Sequence, residues 1–148
     1  VKGSISSLVL VIACAVAAPA AARDDKHMVP IQAALETKDA KEKLDGSVRF
    51  FFGTQQMPKV LKTLGDDVSN RKTNSLGKTP ITACNWVFLS AMIALQQRAK
   101  ELGANAVVNI ISYYKKNELS SETEFECHDG AVVSGVALKG TFVVLAEP

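Results

Sequence analysis

The sequence predicts an α+β fold: one long helix packed on a mostly antiparallel sheet, a β-α-β-β-β core with an extra N-terminal helix and strand. Three observations carry this. Between helix-start and helix-stop residues, positions 80–102 keep apolar side chains three or four apart. The residues after them, through Leu145, turn β-branched and aromatic with period-two stretches. A shorter helix-then-strand pattern precedes Gly53. Segregated helix and strand of this kind suit a two-layer α+β arrangement.

The first segment, residues 1–22, has the layout of a secretory signal peptide. Lys2 precedes the apolar run from Leu8 to Ala18, and Pro19 and Ala20-Ala21-Ala22 follow it, ahead of the charged Arg23-Asp24-Asp25. The run is shorter than the roughly 20 apolar residues a spanning helix needs. Val11-Ile12-Ala13-Cys14 also resembles a lipobox, so two routes stay open: soluble export with cleavage after Ala22, or a lipoprotein anchored through Cys14. Either route places the chain outside the cytoplasm, with the periplasm as the expected location, and its remaining cysteines under oxidising conditions. Residues 23–148 then form one α+β domain.

Within that domain, residues 23–29 read as a lead-in. Pro30 opens a helical stretch to about Leu44, with Thr37 as a point of interruption and Gly46 as its stop. Ser47–Phe52 is strand-like, with Val48, Phe50 and Phe52 on one face. Lys59–Leu64 alternates weakly, and Gly65–Lys78 is either an edge strand or a loop. The clearest element is the helix Pro80–Leu102. Thr79 suits its N-cap, Pro80 its first position and Gly103 its C-terminal left-handed residue. Its seam is Ile81, Cys84, Phe88, Ala91, Leu95, Ala99 and Leu102, widened by Trp86, Leu89, Met92 and Ile93. At 1.5 Å per residue the helix spans about 34 Å, enough to cross a small sheet. Three strands follow: Asn105–Lys116, apolar on both faces like a central strand; Glu122–Cys127, which alternates; and Ala131–Leu145, entered through an Asp129-Gly130 turn. Gly135 and Gly140 mark a bulge or a close backbone approach in the last strand.

Charge argues against a nucleic-acid partner. The whole chain has 17 basic and 15 acidic residues, and loses only Lys2 from that balance with the leader. Lys59, Lys62, Arg71, Lys72 and Lys115-Lys116 are interleaved with acids rather than gathered on one face. After removal of the leader no further apolar run suggests membrane insertion.

Among candidate sites, Cys84 and Cys127 lie on the inward faces of helix and strand, and in an exported chain they predict a disulfide. The alternative is a thiolate metal site with Cys127 and His128, joined by Cys84 and His27. The paired CxxC or HxxxH spacing of a zinc site is missing, so no metal ligand set and no cofactor is assigned. Gly77-Lys78-Thr79 copies the end of a phosphate-binding loop, G-x-x-x-x-G-K-[ST]. Lys72 stands where that loop needs its first glycine, and Pro80 removes a backbone N–H that would cradle phosphate. A helix cap explains the same residues, which leaves nucleotide binding a remote alternative. His128 reads as a turn residue, and neither it nor His27 has a nucleophile at a recognisable spacing. Glu122, Glu124 and Glu126 share a face expected to be solvated, with an acidic docking strip as the alternative. Tyr113-Tyr114 and Trp86 read as packing residues or as an aromatic interaction patch.

The stretch Lys100-Glu-Leu-Gly-Ala-Asn-Ala-Val-Val-Asn109, with Gly135-Val-Ala-Leu138, resembles two related families. One is the small heavy-metal-binding domain of bacteria, which forms pentamers. The other is the outer-membrane lipoprotein that senses envelope stress for the Rcs phosphorelay. The resemblance covers about residues 60–145 and implies the β-α-β-β-β core, with no activity. The whole chain further resembles a group of small exported proteobacterial proteins, through the leader ending in Ala-Arg-Asp-Asp25, Lys-Leu-Asp-Gly-Ser-Val48, Ser-Tyr-Tyr-Lys-Lys-Asn117 and Ser-Ser-Glu-Thr-Glu-Phe-Glu-Cys-His128. Members of that group often carry the label "excinuclease ATPase subunit", which the incomplete phosphate loop here does not support. The expectation is a non-enzymatic envelope accessory or sensor-like protein that binds another protein. A homo-oligomer is left open, and a metal-binding protein using Cys127 and His128 is the runner-up.

Overall fold

The computed structural model describes residues 17–18 and 22–147. Most of the expected leader, with Cys14 and residues 19–21, lies outside the described residues. The elements run β1 (Asp25–Pro30), α1 (Ile31–Leu35), α2 (Lys38–Lys43), β2 (Arg49–Phe52), β3 (Val60–Asn74), α3 (Pro80–Leu102), β4 (Ala106–Ser112), a 3₁₀ turn (Tyr114–Lys116), β5 (Glu124–Asp129) and β6 (Val133–Leu145). This is the α+β architecture expected: α3 packs on one face of a curled six-stranded sheet.

β6 is the hub of the sheet. One of its sides carries β3 in antiparallel pairing along its whole length. Its other side is shared, with β5 at the start (His128↔Gly135, Asp129↔Ser134) and β4 toward the end. β1 continues the sheet beyond β5, antiparallel, and β2 continues it beyond β4 as the one parallel pair among the described residues. Gly140 shows why β6 needs glycine where it crosses β4. A Cβ there would lie 2.6 Å from Cγ1 of Val107. Opposite it, β4 breaks register between Val108 and Ile111, with Asn109 at φ 48°. Such a bulge re-aims the side chains that follow it. Accordingly Val107 and Ile110 both enter the core under α3.

α3 forms where its caps dictate. The Thr79 side chain accepts the Thr82 N–H at 3.2 Å, and Gly103 (φ 76°) donates its N–H back to the carbonyls of Ala99 and Lys100. Both ends therefore satisfy backbone groups that the helix leaves unpaired. Its buried face, Cys84, Val87, Phe88, Ala91, Met92, Leu95 and Ala99, meets Phe125 and Cys127 of β5, Val107 and Ile110 of β4, and Val136, Leu138 and Phe142 of β6. Phe88 stacks on Phe125 with ring centroids 4.1 Å apart, and Phe52 leans on it at 6.2 Å. The Cys84–Cys127 disulfide lies in this layer, Cα atoms 5.9 Å apart, and both cysteines are fully buried.

Several expectations need correction. Residues 25–30 are a strand rather than a lead-in: β1 is held by β5, a distant partner that no local pattern reveals. The stretch 30–44 is two short helices. Thr37 ends the first and caps the second, accepting the Ala40 N–H at 3.3 Å, while Gly46 (φ 76°) turns the chain just after Leu44 closes α2. Lys59–Leu64 and Gly65–Lys78 fuse into the single strand β3, which ends at Asn74. The strand expected at Asn105–Lys116 stops at Ser112, because Lys115 and Lys116 take left-handed φ values of 50° and 65°. Glu122 and Thr123 precede β5, which runs on through Asp129. Ile81 and Trp86, assigned to the buried face of the helix, are exposed.

Candidate functional site

The polar side chains that converge most closely lie on the sheet face opposite α3, where β5, the 3₁₀ turn and the segment entering β1 meet. Period-two geometry sends Phe125 and Cys127 into the core, and Glu126 and His128 to the other face. His128 is therefore a strand residue, not the turn residue expected. Its Nε2 lies 2.6 Å from Oε1 of Glu126, and its Nδ1 lies 2.8 Å from Oδ1 of Asp24. Tyr114 stacks flat over the imidazole, centroids 3.5 Å apart and planes 8° from parallel.

Cations complete the network. Lys26 on β1 reaches Glu126 at 3.2 Å, and Lys115 reaches the second oxygen of Asp24 at 3.2 Å. Below it, buried Asp129 is bridged by the Arg23 guanidinium and accepts the Ser134 hydroxyl. Arg23 also pairs with Asp25 at 2.9 Å. The hydrogen bond from His128, aided by the one from Lys115, holds the Asp24 carboxyl below its usual range. In return Asp24 raises Lys115. Burial, then the charge of Asp24, pushes the Tyr114 phenol up.

Chemically this cluster is a fastener: one imidazole nitrogen faces Asp24 at the entry to β1 and the other faces Glu126 on β5. Both carboxylates accept from the ring at once only when both nitrogens carry hydrogen. The expectation that Glu126 sits on a solvated face is wrong. Lys26 and His128 cover it, and it is buried, whereas Glu122 and Glu124 are exposed. Glu122 instead accepts the Thr54 hydroxyl at 2.7 Å. No local alternation could distinguish Glu126 from its two neighbours, because its partners come from β1 and from its own strand mate.

The other predicted residues are scattered. Cys127 bonds Cys84 and points away from His128 through the sheet. His27 pairs in register with Cys127, and its Nε2 is buried without a hydrogen-bond partner. Among the described residues no group of three or more His, Cys, Asp or Glu is arranged to hold a metal ion. Gly77-Lys78-Thr79 is a capped helix entry: Gly77 turns at φ 71°, and the Lys78 ammonium is spent on the Asn74 carbonyl at 2.6 Å. Tyr113 is half-buried under Lys139, whose ammonium sits 5.2 Å from its ring. Trp86 borders a cavity of about 210 Å³ with Thr37, Asp39, Thr82, Asn85 and Leu89. No described helix is long and apolar enough to cross a membrane.

Three further apolar side chains were not anticipated. Leu76, in the turn before α3, is 60% exposed, and Val132, in the β5–β6 connection, and Val133, which opens β6, are 52% and 45% exposed. The Ser75 N–H donates to the Val132 carbonyl at 2.8 Å, which brings the two turns together at one end of the sheet. No family model matches the chain, and no curated protein or solved structure matches it.

Proposed function

We propose that this chain is an exported, non-catalytic envelope protein that acts by binding another protein. The buried Cys84–Cys127 disulfide is the observation that carries the reading, since such bonds persist in oxidising compartments and are rare where thiols are kept reduced. It agrees with a leader cleaved after Ala22. The cleaved chain would begin at Arg23, and the pairing of Arg23 with Asp25 and Asp129 supports a new N-terminus docked against β5. The apolar end formed by Leu76, Val132 and Val133 supports a protein contact, because clustered exposed apolar side chains are characteristic of interaction surfaces. The likeness to small exported proteobacterial proteins belongs to the same reading.

Intact mass of the chain recovered from the periplasm, alkylated with and without prior reduction, tests it. A mass beginning at Arg23 that takes up alkylator only after reduction is the expected result. Thiols that react without reduction, or a chain that retains its leader in the cytoplasm, would overturn the reading. A lipid increment on Cys14 would keep the export and move the domain onto a membrane.

A further inference from the structure

β3 is the longest strand of the sheet, and among the described residues it pairs with β6 alone. Its outer edge offers an unpaired row of backbone donors and acceptors, which in general invites another strand. From Gly65 to Asn74 the strand keeps regular register with β6, free of the irregularities before it. That stretch carries four exposed charges: Asp66 and Asp67, then Arg71 and Lys72.

These charges are arranged symmetrically about Ser69. If a second copy lays its own β3 antiparallel against this edge, with a two-fold axis normal to the sheet at Ser69, Asp66 falls opposite Lys72 and Asp67 opposite Arg71. Each of the two contacts occurs twice, once from each copy's side. Directly opposite side chains share a sheet face. A two-fold axis normal to the sheet keeps every side chain on its own face, so only pairings between residues of equal parity are allowed. The Ser69-centred register meets this condition. Asp67 and Arg71 lie on the α3 face with Ser69, where all three border the groove under Arg98. Asp66 and Lys72 lie on the other face.

Neighbouring registers lose the match. Centred on Val68 or Asn70, all four charges face uncharged residues. Centred on Asp67 or Arg71, a charge meets its own copy, which destabilises a cross-strand pair. The charges are also free to be used. Among the described residues Asp66, Arg71 and Lys72 form no ion pair, and Asp67 pairs with Arg98 at 3.7 Å, largely exposed, and accepts the Val68 N–H at 2.8 Å. Charged side chains on an edge ordinarily discourage pairing. Here the same side chains favour the Ser69-centred register over its neighbours. We infer that the β3 edge is a self-recognition surface that joins two copies of this chain into a two-fold dimer with a continuous sheet, Asp66 and Asp67 meeting Lys72 and Arg71 of the second copy.

Charge exchange with sedimentation velocity on the mature chain tests this directly, independently of export or of any other protein partner. The wild type should sediment as a dimer that weakens as salt rises. Asp66→Lys with Asp67→Arg makes the edge uniformly basic, and Arg71→Asp with Lys72→Asp makes it uniformly acidic. Each pair should raise the dissociation constant at least tenfold, and an equimolar mixture of the two variants should recover a dimer containing one of each. A wild type that stays monomeric up to hundreds of micromolar overturns the inference. So does an oligomer of other stoichiometry, or a dimer indifferent to both variants. If a variant loses its circular dichroism signal, amide exchange of Gly65–Thr73 in the wild type decides instead. Protection that rises with protein concentration supports the pairing, and protection that does not change overturns it.

Discussion

Removing the disulfide is the sharpest perturbation of this fold. Cys84 and Cys127 are separated by 43 residues, and closing a loop of that size removes denatured-state entropy worth about 4 kcal/mol at 25 °C on the chain-entropy account. A domain of this size has a total stability of about 5–15 kcal/mol, so the bond supplies a quarter or more of it. With about 2.1 cal/mol/K of unfolding entropy per residue over the folded part of the chain, the midpoint should fall by roughly 15 °C. The test compares Cys84→Ala/Cys127→Ala with the oxidised parent in urea and in a thermal scan. The double variant should keep the helix–sheet circular dichroism signal at low temperature while its midpoint drops. Its m-value should also rise, because an uncrosslinked denatured state exposes more surface. An unchanged midpoint and m-value would refute both the bond and the entropic account of it.

Three further outcomes follow from the packing and the charge network. Phe88→Ala empties the ring space between Phe125 and Phe52 and should cost about 3–5 kcal/mol in chemical denaturation. Gly140→Ala drives a methyl against Val107 and should cost about 1–3 kcal/mol; adding Val107→Ala should relieve the clash, so the two changes should prove strongly non-additive in a double-mutant cycle. Because the Asp24 carboxyl is held below its ordinary 3.8 by His128 and Lys115, its contribution is present above that pH and is lost as pH falls through the lower folded value. Asp24→Asn should flatten this acid limb of a stability-against-pH curve measured by urea midpoints.

The parts of the fold that the sequence made legible are those whose causes are local. Thr79, Pro80 and Gly103 announce both ends of α3 because capping involves only neighbours within a turn. The inward placement of Cys84, Phe125 and Cys127 follows from helical and strand periods, and the disulfide follows from that placement. What stayed hidden depends on partners far along the chain. β1 is short, charged at its start and closed by Pro30, so its strand character comes only from pairing with β5, residue against residue from Asp25↔Asp129 to Pro30↔Glu124. β3 looked divided because Gly65, Asp66 and Asp67 interrupt its weak alternation. It remains one strand because register shifts between Val60 and Lys62 and between Thr63 and Gly65 absorb the irregularity and β6 supplies its partner. The site was half legible: His128 and Glu126 stood out as residues, but Asp24 reaches His128 across 104 positions, Lys26 reaches Glu126 from the far strand β1, and Lys115 joins through Asp24, 91 positions away.

β5 explains why the disulfide and the charge network occur together. It pairs with the central strand at only two residues, His128↔Gly135 and Asp129↔Ser134, and its longer ladder is to β1, itself at the margin of the sheet. A strand held so briefly by its hub tends to open before the rest. The two fasteners sit at consecutive residues on its opposite faces. Cys127 is bonded to α3 beneath, and His128 is clasped by Asp24, Glu126 and Tyr114 above. Reduction alone should therefore leave β3, β4, β6 and α3 protected while amide exchange accelerates first in β1 and β5. With Asp24→Asn added, that local opening should spread further at the same pH, since both faces of β5 are then released. Uniform acceleration across the whole sheet on reduction would mean instead that β5 is integral to the core cooperative unit.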